Sequence, residues 1–235
     1  MSRFKPEHTG SLSHKIIEMI IHDIKIPLDC LADNIRKLKH QTYSHPELNS
    51  PLSDLISHVG ASRNLMDNIL SWSKLFIHNG NDIKQPVLIK LQTDLILQSM
   101  RYLASERHLT ISNLVPELPQ VRINLPVFEF VFRNMLIRAI NECESSGLIR
   151  INLKLENKQL IMRISSTNIS SLIPASKQDG KGIYETSRQE SMTLQDKISL
   201  DLCNELLNQH KGKMWAKRET LHTRSAYFSI PAIIE

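Results

Sequence analysis

Two long, one-sided helical stripes constrain this chain before anything else does. From about residue 13 to 39, Ile16, Ile17, Ile20, Ile21, Ile24, Leu28, Leu31, Ile35 and Leu38 recur at steps of three or four. From Leu52 to about Phe76 the stripe is Leu52, Leu55, Ile56, Val59, Leu65, Met66, Ile69, Leu70 and Leu75. The segment between them holds Pro46, Asn49, Ser50 and Pro51 and reads as a turn. Pro27 lies inside the first stripe and removes one backbone hydrogen bond there. A single helical hairpin buries little apolar surface. Residues 12–79 are therefore expected to pair with a second copy as a dimeric four-helix bundle.

The periodicity changes after Asn79-Gly80-Asn81-Asp82, the expected domain boundary. Val87 to Lys90 reads as a short strand and Leu91 to Glu106 as a helix. Leu109 to Asn113 and Gln120 to Ile123 read as strands. Pro126 to Glu144 is a strong helix with proline in its first turn. Leu148 to Leu155 and Leu160 to Ser165 alternate apolar and polar residues around Glu156-Asn157-Lys158, a hairpin pattern. Residues 166–192 are polar and aperiodic and read as a long loop. Thr193 to His210 is helical, with Gly212 as its stop, and Lys213 to Lys217 and Ser225 to Ile230 are closing strands. Residues 83–235 thus form an α+β domain, with one antiparallel sheet and helices on one face.

Composition narrows the function. Only 7 of 235 residues are glycine, about half the usual share, and no GxGxxG or GxxxxGK[ST] occurs. Dinucleotide-fold and P-loop chemistry need such clusters, because only glycine lets the backbone approach a phosphate closely. Cys30, Cys143 and Cys203 are far apart and suggest no disulfide framework, which fits a cytoplasmic location. The ten histidines show no zinc spacing, so no metal site is expected. No apolar run is long enough to span a bilayer. The net charge of +5 is dispersed, so no nucleic-acid partner is expected. Trp72 and Trp215 read as packing anchors, and Arg101, Arg107 and the lysines from 211 to 217 as solvated.

Several segments, in order, carry a resemblance. His22-Asp23-Ile24-Lys25-Ile26-Pro27-Leu28 is similar to a phosphoacceptor box, and Asn68-Ile69-Leu70-Ser71-Trp72-Ser73-Lys74-Leu75 to the usual end of the following helix. Phe132-Arg133-Asn134-Met135-Leu136-Ile137-Arg138-Ala139-Ile140 resembles an asparagine box. His210-Lys211-Gly212-Lys213-Met214-Trp215 and Ser225 to Pro231 resemble the segments that close the same domain. Together, from about residue 12 to 231, they resemble the catalytic core of bacterial sensor histidine kinases. That resemblance implies a dimerisation and phosphoacceptor hairpin followed by an α/β-sandwich ATPase-like domain. It implies a homodimer working with response-regulator receiver domains.

It also implies roles. A neutral imidazole is a competent nucleophile near pH 7, so His22 is the candidate phosphoacceptor. Asp23 can hold the other ring nitrogen and its proton, and Lys25 can meet phosphate oxygens. Ile26 stands where many family members place a threonine or asparagine that positions water, and it cannot hydrogen-bond one. The nucleotide motifs depart further. Asn134 keeps the first position of the asparagine box, but Arg138 stands where a second asparagine binds Mg²⁺, and a cation cannot ligate a metal. Ser166 stands where an aspartate meets adenine. The glycines expected at Ser166–Ser170 and Gln195–Leu200 are missing, with Gly180 and Gly182 a displaced remnant or merely a flexible loop. Three readings follow. The first is a histidine phosphotransfer protein that relays phosphate through His22 without ATP. The second is a kinase core that autophosphorylates His22 using ATP and Mg²⁺, with Asn134 a remnant of that site. The third is a non-catalytic scaffold or inhibitor.

Overall fold

The computed structural model describes residue 21 and residues 24–38, 49–77, 83–117, 120–167, 194–220 and 223–234. The chain divides into two compact units, Met1–Gly80 and Asn81–Glu235.

In the first unit, α1 is helical over residues 24–38 and α2 spans Asn49–Ile77. Their stripes meet as the periodicity demands. Ala32, Ile35 and Val59 are buried, with Leu28, Leu52 and Ile56 packed against them. Two ion pairs cross the hairpin a helical turn apart. Lys25 meets Asp67 at 2.5 Å, and Arg63 meets Asp29 at 3.2 Å. Ile24, Ile26, Leu31, Leu38 and Leu55 remain exposed in this single chain.

In the second unit the order is β1 (Gln85–Val87), α3 (Ile89–Glu106), β2 (Thr110–Asn113), β3 (Val121–Ile123), α4 (Leu125–Glu142), β4 (Leu148–Glu156), β5 (Gln159–Thr167), α5 (Leu194–Gln209), β6 (Lys213–Arg218), β7 (Thr223–Pro231) and β8 (Ile233–Ile234). The main sheet runs β2-β4-β5-β7-β6, and a small sheet runs β1-β3-β8. Three expectations are corrected. The main sheet is mixed, because β2 pairs parallel to β4, with Ile111 opposite Ile149. The segment at 120–123 joins the small sheet instead. The first strand also lies earlier than expected, at Gln85–Val87, and Ile89 already begins α3.

Local chemistry explains the main elements. Asn124 caps α4 by accepting from the Val127 amide at 3.2 Å, and a proline sits in the helix's first turn. Nine of the 18 residues of α4 are buried, so it is the central helix of the unit rather than a surface one. Phe128 stacks on Phe132 and touches Phe228 of β7, with ring centroids 5.6 and 5.9 Å apart. The opposing sheet face supplies Ile149, Ile151, Leu160, Met162, Ile164 and Ile230, all essentially fully buried. The β4–β5 hairpin turns through Asn157 and Lys158, both at positive φ (51° and 59°). That is the backbone twist a two-residue hairpin prefers.

Arg107, expected to be solvated, is instead a clamp. Its Nη1 donates to the carbonyls of Ile140 (2.8 Å) and Asn141 (2.6 Å) at the end of α4. Its own carbonyl accepts from the Ser146 amide at 3.2 Å. A cation at a helix C-terminus satisfies orphaned carbonyls and matches the helix dipole.

Candidate functional site

The candidate residues fall in both units. His22 and Asp23 lie outside the described residues. Lys25, on α1, is half-buried, and its ammonium is engaged by Asp67 of α2. A lysine held this way is fixed in place beside α2. Its ammonium has three N–H donors, and Asp67 takes one of them.

A separate group of candidate residues, within the second unit, is built on α4 and the end of β5. Asn134 faces inward and is buried, and its side-chain amide donates to the Phe130 carbonyl one turn back at 2.9 Å. One turn on, Arg138 directs Nε to Glu142 at 2.8 Å, an i, i+4 pair along the helix. Asn141, three residues beyond Arg138, is exposed. Ser166 is half-buried, with Ile149 on one side and Arg224 of β7 on the other. Arg224 in turn registers with Arg218 of β6. The row beside Ser166 thus holds two arginines, Arg224 and Arg218. Asn168, Ser170, Gly180 and Gly182, and the side chain of Gln195, lie outside the described residues.

Among the described residues, no group of three or more His, Cys, Asp or Glu is placed to hold a metal ion. Arg138 presents a guanidinium, paired with Glu142, and a guanidinium cannot itself ligate a metal ion.

The His210-Lys211-Gly212 motif has a structural role. Lys211 takes positive φ (58°), and the Gly212 amide donates to the Leu207 carbonyl at 2.8 Å, closing α5. A Cβ on Gly212 would collide with the carbonyl of Ser229 on β7, so glycine lets β6 enter the sheet directly after the helix. Two residues sequence reasoning misplaced are Arg107 and Trp215. Trp215 is 36% exposed and stacks on Tyr227 (5.2 Å between centroids, planes within 2°) rather than anchoring a core. The Tyr227 hydroxyl donates to Glu219 at 2.6 Å, and Glu219 also pairs with Arg163. Glu219's carboxyl is held below the usual carboxylate value, first by that hydroxyl and further by Arg163 and Lys217. Tyr227 is pushed up, first by burial and then by its bond to Glu219.

No family model matches the chain. The chain is 25% identical over 226 residues to the adaptive-response sensory kinase SasA of Synechocystis sp., covering 92% of this chain and 58% of that protein. It thus spans a little over half the length of that relative. Among solved structures, full-length ShkA in complex with AMPPNP superposes with a TM-score of 0.63 at 15% identity, covering 94% of this chain and 46% of ShkA. The histidine kinase AdeS of Acinetobacter baumannii superposes at 0.57 and 12% identity, covering 89% of this chain and 97% of that one. No helix of the described residues is long and apolar enough to cross a membrane. The chain therefore has the fold of the histidine kinase AdeS and of ShkA and, along 92% of its length, a sequence likeness to a sensory kinase.

Proposed function

We propose that the chain is a histidine phosphotransfer protein of a two-component phosphorelay, carrying phosphate through His22 to or from receiver-domain aspartates without ATP. The observation that carries this reading is Arg138. By resemblance it stands where the asparagine box has a metal ligand; it is tied to Glu142, while Asn134 is turned into the interior. In this reading Met1–Gly80 is the dimerisation and phosphoacceptor domain, and Asn81–Glu235 is a degenerate ATPase-like domain. The exposed Ile24, Leu31, Leu38 and Leu55 supply the apolar surface for a second copy, giving a four-helix bundle. His22 attacks the phosphoryl group of a receiver acyl phosphate, the new N–P bond forming as the acyl O–P bond breaks and the receiver aspartate leaves as its carboxylate. Asp23 holds the second ring nitrogen and takes up its proton, and Lys25 screens the phosphoryl oxygens.

The test is incubation with a phosphorylated receiver domain. Wild-type protein is expected to gain acid-labile phosphate and the His22→Gln variant none. Labelling by γ-labelled ATP, or a Mg²⁺–ATP titration with micromolar affinity, would refute this reading. It would favour the second one, an ATP-dependent histidine kinase acting on His22. That alternative is supported by the likeness to a protein named a sensory kinase and by the shared fold with ShkA, solved with AMPPNP.

A further inference from the structure

The helix-free face of the main sheet carries an ordered set of charges that neither the proposed phosphotransfer nor the packing of the unit uses. Strand registers arrange it in rows. Arg150, Ser165, Ser225 and Lys217 form one row. Asn152, Arg163, Tyr227 and Trp215 form the next. Lys154 and Lys213 flank a third. The core residues Ile149, Ile151, Met162, Ile164 and Phe228 alternate with these and point to the helices, so the side chains named here stand on the opposite surface.

Two of the cations on this face are already neutralised. Lys154 pairs with Glu156 at 2.8 Å, and Arg163 pairs with Glu219. Arg150, Lys213 and Lys217 are exposed; Lys217 lies near enough to Glu219 to act on its carboxyl, which already pairs with Arg163. The surface therefore keeps a surplus of three positive charges around an exposed tryptophan.

The aromatic geometry selects the kind of anion. Rings lying side by side on a sheet cannot have centroids as close as 5.2 Å. Trp215 and Tyr227, with parallel planes, must stand face to face. The Lys213 ammonium lies 5.4 Å from the Trp215 ring centroid. The stack covers one face of each ring, and the Lys213 ammonium lies over Trp215. Outward stand ring edges, the positive part of an aromatic quadrupole, beside the exposed cations Arg150 and Lys217. Carboxylates complement both.

We propose that this sheet face docks an acidic, carboxylate-bearing segment of a partner protein, centred on Arg150, Lys213, Trp215 and Lys217. The rows above define the contact, and it lies apart from His22 in the chain. Docking can therefore succeed or fail whether or not the phosphotransfer reading holds.

The test uses the full chain and fluorescence anisotropy with three probes: a labelled glutamate-rich peptide, its glutamine counterpart, and a single-stranded poly(dT). The glutamate peptide is expected to bind at low salt, with the glutamine peptide about tenfold or more weaker. Arg150→Glu with Lys213→Glu and Lys217→Glu should lose about tenfold or more in affinity. Charge reversal at Arg101 and Lys37, exposed cations elsewhere, should change it little. The Arg150→Gln, Lys213→Gln, Lys217→Gln variant, which removes charge without repulsion, guards against a folding defect and should fall between. No binding of the glutamate peptide, or equal binding by the charge-reversed variant, overturns the proposal. So does tighter binding of poly(dT) that the same triple change abolishes, which would assign the face to nucleic acid.

Discussion

Replacing Arg107 with methionine keeps most of the aliphatic stem and removes the guanidinium that closes α4. Two charge-assisted hydrogen bonds disappear, at 2.8 and 2.6 Å, to the Ile140 and Asn141 carbonyls. A fully desolvated bond to a charged group contributes about 1.5–3 kcal/mol. Arg107 is half-exposed, and water replaces it at both carbonyls, so the expected loss is about 1–2 kcal/mol for the pair. In a unit of this size that corresponds to a fall of about 3–6 °C in Tm. The measurement is urea unfolding followed by Trp215 fluorescence in a Trp72→Phe background, so that only the second unit reports. Hydrogen exchange locates the effect. The amides of Cys143, bonded to the Ala139 carbonyl, and of Ser146, bonded to the Arg107 carbonyl, should exchange faster than β5 or β7 amides after allowing for the global change. Arg107→Lys should recover about half of the loss. A change below about 0.3 kcal/mol, or exchange that accelerates uniformly, would refute the clamp.

The remaining expectations are independent of that one. A double-mutant cycle on Lys25→Gln and Asp67→Asn, followed through Trp72, should give a coupling of about 0.3–1 kcal/mol that shrinks in 1 M salt, because the pair is partly exposed. Glu219's depressed pKa means its stabilisation is complete above the ordinary glutamate value of about 4.3 and is lost as pH falls through the lower folded-state value. Wild type should therefore lose more stability than Glu219→Gln between about pH 5 and about pH 3, and equal slopes would count against the interaction. In the same variant Tyr227 should titrate at lower pH, measured by phenolate absorbance, since one cause of its raised pKa is gone. Gly212→Ala should cost about 2 kcal/mol or more in chemical denaturation, because the new methyl group meets the Ser229 backbone and Leu207.

The elements legible in the sequence were those whose pattern is local. The β4–β5 hairpin announces itself by alternation around Glu156-Asn157-Lys158, and α4 by its long, mostly apolar run with proline in the first turn. Pairings between distant segments were not legible. The parallel β2–β4 contact joins residues about 40 positions apart, and Thr110-Ile111-Ser112-Asn113 is too short to declare a partner or a direction. The small sheet of β1, β3 and β8 has three strands of two or three residues each, below the length at which alternation carries information. Of the candidate site, Asn134 and Arg138 were legible through the asparagine box, and the structure adds where their side chains go. Arg107 was missed because it looks like any surface arginine. The only local sign was its position just after α3, where a side chain reaches the end of a neighbouring helix.

The strand order of the main sheet also bears on how the chain is made. β7, among the final residues, is not an edge strand but lies between β5 and β6, and β8 closes the small sheet against β3. During synthesis every earlier element of the second unit emerges while the slot for β7 is empty, leaving the inner edge of β5 unpaired. Residues 223–234 must therefore leave the ribosome before the sheet can close. A stalled or truncated product would present an open strand edge to other chains, while the helical hairpin, complete by residue 77, emerges well ahead of it.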